Sequence, residues 1–291
     1  MTIGEFKKYF METFRNYGIV ERSSILTMLL EESLGMNNVE AHIYHHKEIT
    51  AEQLSELKQR CQQLALNIPV QYSYQKAYFF GLELYVDPRV LIPRQETEEL
   101  VDWILQTIIG RGSPPLRILD IGTGSGAIAI ALKKQLPQLQ LTAVDISAEA
   151  LEVAQANAKR NKVDVCFLQQ DILQVEDLGQ SFDIIVSNPP YVREQEKQQM
   201  HPNVLEHEPH LALFVPDDDP LLFYDKIATI ATRNLDPQGS LFFEINQYLG
   251  KEMLQMLRQK GFHSKLRKDL NGNDRMIMSQ FAMNQPLTIN Y

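Results

Sequence analysis

Positive charge is scarce in this chain: 28 Lys and Arg stand against 37 Asp and Glu, a formal net charge of −9. An acidic balance of that size excludes general, phosphate-driven nucleic-acid binding, though not a nucleic acid met at one local patch. Cysteine is scarcer still. Cys61 and Cys166 are the only two, too far apart for ligand spacing, so they read as small core residues of a reducing compartment and exclude a disulfide framework. No apolar run reaches membrane-spanning length. Glu5, Lys7, Lys8, Glu12 and Arg15 interrupt the first twenty residues, which excludes the apolar core of a signal peptide and leaves the cytoplasm as the expected compartment.

What is present is an ordinary globular composition, 44% hydrophobic and 22% charged over 291 residues, enough for one large core and a small extra domain. Residues 1–68 read as a helical bundle. Ile3, Phe6, Phe10 and Phe14 share one stripe; Ile25, Met28, Leu29 and Leu34 form a second; Thr50 to Gln53 is a capping box opening a third with Leu54, Leu57, Cys61 and Leu64. Such stripes report burial before recognition. His42, His45 and His46 lack a Cys or carboxylate at ligand spacing, so no metal is expected. Residues 69–94 read as a β-hairpin linker, with Tyr78 to Phe80 and Leu82 to Val86 around Gly81. Residues 95–291 form the main α/β domain, opening with a helix whose first turn is acidic. Arg94 suits either a ligand contact or a pair with that turn.

Leu116 to Leu119 is an apolar strand running into Asp120-Ile121-Gly122-Thr123-Gly124-Ser125-Gly126, with a helix following. Glycines let a loop turn tightly and a ligand lie on bare backbone. The spacing is G-x-G-x-G, not the dinucleotide fingerprint, and no Lys-Ser/Thr follows to make a P-loop. A second strand ends at Asp145, where an acidic side chain takes ribose hydroxyls in doubly wound folds; Asp145 could equally cap the helix starting near Ser147. A third, Val163 to Gln169, ends before Asp171 and Ile172, suited to an adenine amine and ring. The fourth, Ser181 to Ser187, stops at Asn188-Pro189-Pro190-Tyr191. Prolines end the ladder and leave neighbouring carbonyls free. Two acceptors beside an aromatic ring suit a planar group bearing NH2. Asn-Pro alone is an ordinary turn initiator, but four polar strand ends at βαβ intervals place these residues on one carboxyl edge. Downstream, helices alternate with strands to a hairpin around Asn271 to Asp274. The count is seven strands with an antiparallel edge, a doubly wound, mostly parallel sheet. His201, Glu206, His207, Glu208 and His210 read as a mobile polar loop over the site, not as ligands.

These residues resemble a known family. Asp120 to Ala129 is similar to the cofactor loop of class I S-adenosylmethionine-dependent methyltransferases, and Asn188-Pro189-Pro190-Tyr191 to the motif of those that methylate a planar amide or amine nitrogen. With Leu91 to Arg94, His201-Pro202, Glu208-Pro209 and Lys268 to Arg275, the chain resembles the glutamine methyltransferases of peptide chain release factors, the HemK/PrmC family. Three positions depart from the usual pattern: Gln95, Phe214 to Pro220, and Ile172 where an aromatic is frequent. The resemblance implies methyl transfer to the side-chain amide of the glutamine in the Gly-Gly-Gln loop of class I release factors. It implies S-adenosylmethionine held by Gly122, Thr123, Gly124, Ser125, Gly126, Asp145, Asp171, Ile172 and Asn188, with Asn188, Pro189, Pro190 and Tyr191 as catalytic and substrate-binding residues. No metal, nucleic acid or membrane is expected, and the chain is expected to act as a monomer. Rival substrates are a ribosomal-protein glutamine and a nucleic-acid exocyclic amine.

Overall fold

A computed structural model describes residues 1–112 and 115–282; the last nine residues of the expected 95–291 domain lie outside them. The chain divides into two compact units, one of Met1–Lys76 with His201–His207, the other of Ala77–Met200 with the chain from Glu208 onward.

The first unit holds α1 (Ile3–Thr13), α2 (Ile19–Leu34), α3 (Asn38–Ile43), α4 (Ala51–Ala65) and α5 (Val70–Tyr74). Capping boxes start two of the expected helices: Thr2 Oγ1 accepts from the Glu5 N–H at 3.2 Å, and Thr50 Oγ1 from that of Gln53, also at 3.2 Å. The three stripes face one another, and Phe6, Phe10, Leu29, Leu57 and Leu64 are buried. Each such side chain contributes roughly 1.5–3 kcal/mol. Two short helices, α3 and α5, escaped the periodicity because neither fills two turns of apolar pattern. α5 occupies the start of the span expected to be a hairpin linker, so that linker is shorter than the residues from 69 onward suggested.

The second unit opens with β1 (Ala77–Phe79) and β2 (Leu82–Leu84), an antiparallel hairpin. There follow α6 (Gln95–Gly110), β3 (Arg117–Ile121), α7 (Ala127–Gln135), β4 (Gln140–Asp145), α8 (Ala148–Asn161), β5 (Cys166–Gln169), β6 (Phe182–Ser187) and β7 (Val192–Arg193). The chain then contributes α9 (Pro202–His207) to the first unit. It resumes with β8 (Phe214–Val215), α10 (Leu222–Asn234), β9 (Leu235–Glu244), α11 (Gly250–Gln259), β10 (Phe262–Lys268) and β11 (Asp274–Phe281). The main sheet has seven strands in the order β10-β11-β9-β6-β3-β4-β5. β5, β4, β3, β6 and β9 run parallel, and β11 pairs antiparallel to β9 and β10.

Alternation along each central strand explains the two layers of helices. Ile118, Ile184 and Phe242 face one side, packed with α6, α7 and α8. Leu119, Ile185 and Phe243 face the other, packed with α10 and α11. Among the described residues no helix is long and apolar enough to cross a membrane. Two expectations need correction. Cys61 is buried, but Cys166 is exposed because β5 is the sheet's edge and begins three residues later than Val163. The residues around His201 are not a mobile loop. Pro202–His207 is helical, and its segment is held within the first unit by Asn67 Nδ2 donating to Glu206 Oε2 at 3.0 Å and by the His201 ring 4.9 Å from that of Tyr17.

Gly126, where the glycine loop becomes α7, has φ +82°, and a Cβ there would meet Ile130 Cδ1 at 2.8 Å and Ala154 Cβ at 3.2 Å. Left-handed backbone costs a non-glycine residue about 1–2 kcal/mol and the overlap adds to it. Gly126→Ala is expected to lose at least about 2 kcal/mol in urea unfolding followed by fluorescence of Trp103, the single tryptophan of the chain.

Candidate active site

Four parallel strands deliver their carboxyl ends to one edge, and a cleft of about 470 Å³ lies there. Its floor and walls include Gly122, Gly124, Asp145, Asp171, Ile172 and Asn188. Pro189 and Pro190 continue the wall beyond Asn188, and Val90, Leu91, Leu211 and Phe223 add apolar surface. A cleft at the point where a doubly wound sheet reverses its strand order is where such sheets bind ligands.

The glycine loop is shaped by its own backbone. The N–H groups of Gly122 and Thr123 both donate to the Val144 carbonyl, at 2.9 and 3.1 Å. The Gly124 N–H donates to Asp145 Oδ2 at 2.8 Å, while Asp145 Oδ1 accepts from the Ser147 N–H at 3.0 Å. Asp145 therefore locks the loop and the start of α8 while each oxygen keeps a lone pair for the cleft. Burial raises its pKa despite those bonds. Asp171 Oδ1 accepts from the Leu173 N–H at 3.0 Å. A Cβ placed on Gly122 or Gly124 would meet nothing within 4 Å. Bare backbone thus faces open room. Thr123 and Ser125, by contrast, point away from it: both are buried, Thr123 Oγ1 donating to Asp120 Oδ2 at 2.6 Å.

The second half of the site is the corner after β6. Ser187 Oγ donates to the Ile121 carbonyl at 2.7 Å, fastening the corner to the glycine strand. Asn188 Nδ2 donates to Thr97 Oγ1 at 3.3 Å, and Thr97 Oγ1 donates to Glu244 Oε2 at 2.6 Å. Tyr191 does not line the cleft. Its hydroxyl donates to Glu244 Oε1 at 3.1 Å, its carbonyl accepts from Asn246 Nδ2 at 3.0 Å, and its ring packs on the second core layer. Glu244 is 1% exposed. Burial raises its pKa, countered by the Thr97 hydrogen bond and the charge of Arg275. Burial likewise pushes the Tyr191 hydroxyl far up, with the Glu244 charge adding to it.

Arg94 pairs neither with the acidic turn of α6 nor with the cleft. Its guanidinium meets Glu208 Oε1 at 2.6 Å, while Glu208 Oε2 accepts from the Ile92 N–H at 3.2 Å. That clasp joins the segment before α6 to the one bearing Leu211. Fully buried Asn157 does similar service: its amide accepts from the Tyr85 N–H and donates to the carbonyls of Tyr85 and Ser125. Thr97, Asn157, Glu244 and Asn246 were not anticipated, and Glu208, expected only in a polar loop and as part of a motif, was not expected as the partner of Arg94. Only Glu244 carried a signal, a lone carboxylate closing the apolar strand end Leu241-Phe242-Phe243. Among the described residues no group of His, Cys, Asp and Glu could hold a metal ion.

Two family models match the chain, one described as methyltransferase small domain over residues 103–210 and one as PrmC N-terminal domain over residues 7–72. A release factor glutamine methyltransferase of Flavobacterium psychrophilum is 57% identical over 221 residues, covering 75% of this chain and 78% of its own length. A second, from Bacteroides thetaiotaomicron, is 42% identical over 272 residues, covering 92% and 96%. Among solved structures, a methyltransferase from Pyrococcus furiosus, 19% identical, superposes with a TM-score of 0.51 over 77% of this chain and 98% of its own. That likeness is one of fold.

Asp120 lies beneath the loop with no exposure, and its Oδ1 has no hydrogen-bond partner. The Ala129 N–H favours its charge without reaching hydrogen-bond geometry. Burial pushes its carboxyl up to about 7. Because the folded value lies above the unfolded one, the carboxyl costs nothing below the unfolded value of about 4 and destabilises the fold increasingly from there up to about 7, above which the cost is constant. Asp120→Asn, which cannot ionise, is expected to gain about 2–3 kcal/mol relative to the parent between pH 5 and pH 8, measured by urea unfolding of the ligand-free protein.

Proposed function

The chain belongs to the release factor glutamine methyltransferases, and from that membership we propose that Asn188 and Pro189 hold the side-chain amide of the glutamine in a release factor's Gly-Gly-Gln loop. The activity is methyl transfer from S-adenosylmethionine to that amide nitrogen. One observation carries the assignment of roles. Asn188 Nδ2 is engaged by Thr97, which leaves Asn188 Oδ1 and the Pro189 carbonyl, on two adjacent residues that line the cleft, as the acceptors for the amide.

The cleft fits the cofactor. Gly122 and Gly124 leave backbone bare where a bulky ligand would lie. Asp145 and Asp171 have lone pairs to accept from ribose hydroxyls and the adenine amine, and Ile172 and Leu173 offer apolar cover. The ionisable lining is acidic: Asp145, Glu149 and Asp171 face one cation, Arg89, which Asp87 and Glu152 already hold. A positively charged ligand suits such a lining. The bound cofactor supplies a methyl group on a sulfonium, activated for transfer to a nucleophile.

An amide nitrogen is a weak nucleophile because its lone pair is shared with the carbonyl. Asn188 Oδ1 and the Pro189 carbonyl accept one N–H each, which fixes the nitrogen's direction. Proline at 189 and 190 keeps the two acceptors at a constant separation. Orientation of this kind lowers a barrier by converting a search into a held geometry. The same two oxygens stabilise positive charge as it grows on nitrogen. Tyr191, anchored by Glu244, braces the corner and does not stack on the substrate. The net charge of −9 supports a reaction without nucleic acid, and a substrate from translation termination supports a cytoplasmic setting.

Asn188→Ala is expected to keep S-adenosylhomocysteine affinity within about threefold while transfer of labelled methyl to purified release factor falls at least about 100-fold. Replacing the loop glutamine of the release factor should abolish labelling. Retained transfer by Asn188→Ala would remove the proposed role.

A further inference from the structure

Building on the amide-holding role of Asn188, we propose that Glu244 is a positioning residue that, through Thr97, dictates which end of the Asn188 amide faces the substrate. The reasoning is one of hydrogen count. A carboxylate only accepts. Thr97 has one hydroxyl proton, and Glu244 Oε2 takes it at 2.6 Å. Thr97 Oγ1 can therefore only accept from its other neighbour, and that neighbour is Asn188, 3.3 Å away. Only the NH2 end of Asn188 can satisfy an acceptor, so its Oδ1 is turned outward. Reverse the sense of the first bond and the last one reverses too: a substrate NH2 would meet an NH2.

The surroundings suit this task. Thr97 is 4% and Glu244 1% exposed, so water cannot easily replace either partner. The second carboxylate oxygen of Glu244 is occupied by the Tyr191 hydroxyl at 3.1 Å, and its backbone carbonyl accepts from the Tyr224 hydroxyl at 3.2 Å. Arg275, held by Asp269 at 3.1 Å and bonded to the Ile245 carbonyl at 3.4 Å, supplies the nearby positive charge. Glu244 thus sends order two ways, to the Asn188 amide through Thr97 and to the aromatic ring that closes the motif. Neither Thr97 nor Glu244 lines the cleft, so both act through Asn188 and Tyr191 and not on the substrate.

The decisive comparison is Thr97→Val against Thr97→Ser, with Glu244→Gln beside them. Valine keeps the shape of threonine but removes the relay hydroxyl; serine restores it. The glutamine amide can donate to Thr97, freeing the hydroxyl to donate to Asn188 Oδ1. At saturating release factor, Thr97→Val and Glu244→Gln should each lose about 100-fold in kcat, with S-adenosylhomocysteine affinity within threefold of the parent; Thr97→Ser should stay within about threefold of the parent in kcat. If Thr97→Val keeps kcat within threefold while Asn188→Ala loses it, the relay is wrong and the role of Asn188 stands. If Asn188→Ala also keeps it, the amide-holding role itself fails. Loss of cofactor affinity alongside kcat in both Thr97→Val and Glu244→Gln would make the pair a mere structural support and overturn the proposal.

Discussion

A carboxylate with 1% exposure has to be given hydrogen bonds or protonate, and Glu244 is given two, from Thr97 and Tyr191. That requirement reaches across the sheet. It draws the start of α6 to the end of β9, and it pulls the residue after the two prolines down onto the same group. The corner between β6 and β7 is therefore built from three parts of the chain distant in sequence. Asn246 adds a further tie by donating to the Tyr191 carbonyl. A hinge-like Asn-Pro-Pro turn becomes a fixed one, which is what a reaction limited by orientation needs.

The rest of the fold serves to bring that corner beside the glycine loop. Parallel pairing of β4, β3 and β6 ends three strands at one edge, and Ser187 bonds directly to the Ile121 carbonyl there. Asp145 converts the loop's loose backbone into a defined curve by taking the Gly124 N–H. Asn157 and the Arg94–Glu208 pair fasten the flanking segments, one at Tyr85 and one at Ile92. Each of these groups is buried or partly so and each is satisfied, whereas Asp120 is left with one bare oxygen. The loop thus sits on the least comfortable carboxyl of the unit.

Much of this could be read from local pattern. Apolar strands with Asp120, Asp145, Asp171 and Asn188 at their ends, at βαβ spacing, locate the cleft because strand period and crossover length leave few topologies. Three apolar stripes, one of them opened by the capping box at Thr50, located the three long helices of the bundle because helical period is a local signal. What stayed hidden depends on distance in sequence. Nothing near Thr97 says that it will meet residue 244, 147 positions later. Nothing near Arg94 favours Glu208 over the acidic turn beside it. Pro202–His207 was misread because six residues are too few for an apolar stripe and, set among His and Glu side chains, look like loop until a partner surface is known. Tyr191 was expected against the substrate because an aromatic after Asn-Pro-Pro is ambiguous until its hydroxyl finds an acceptor.

The central claim is that a carboxamide is held by two acceptors whose polarity is set from behind. The most direct measurement is a crystal structure of the chain with S-adenosylhomocysteine and a release factor, at a resolution that separates amide oxygen from nitrogen. The account predicts the glutamine nitrogen within hydrogen-bond distance of both Asn188 Oδ1 and the Pro189 carbonyl, facing the sulfur. A glutamine oxygen turned toward Asn188, with the nitrogen directed elsewhere, would contradict it.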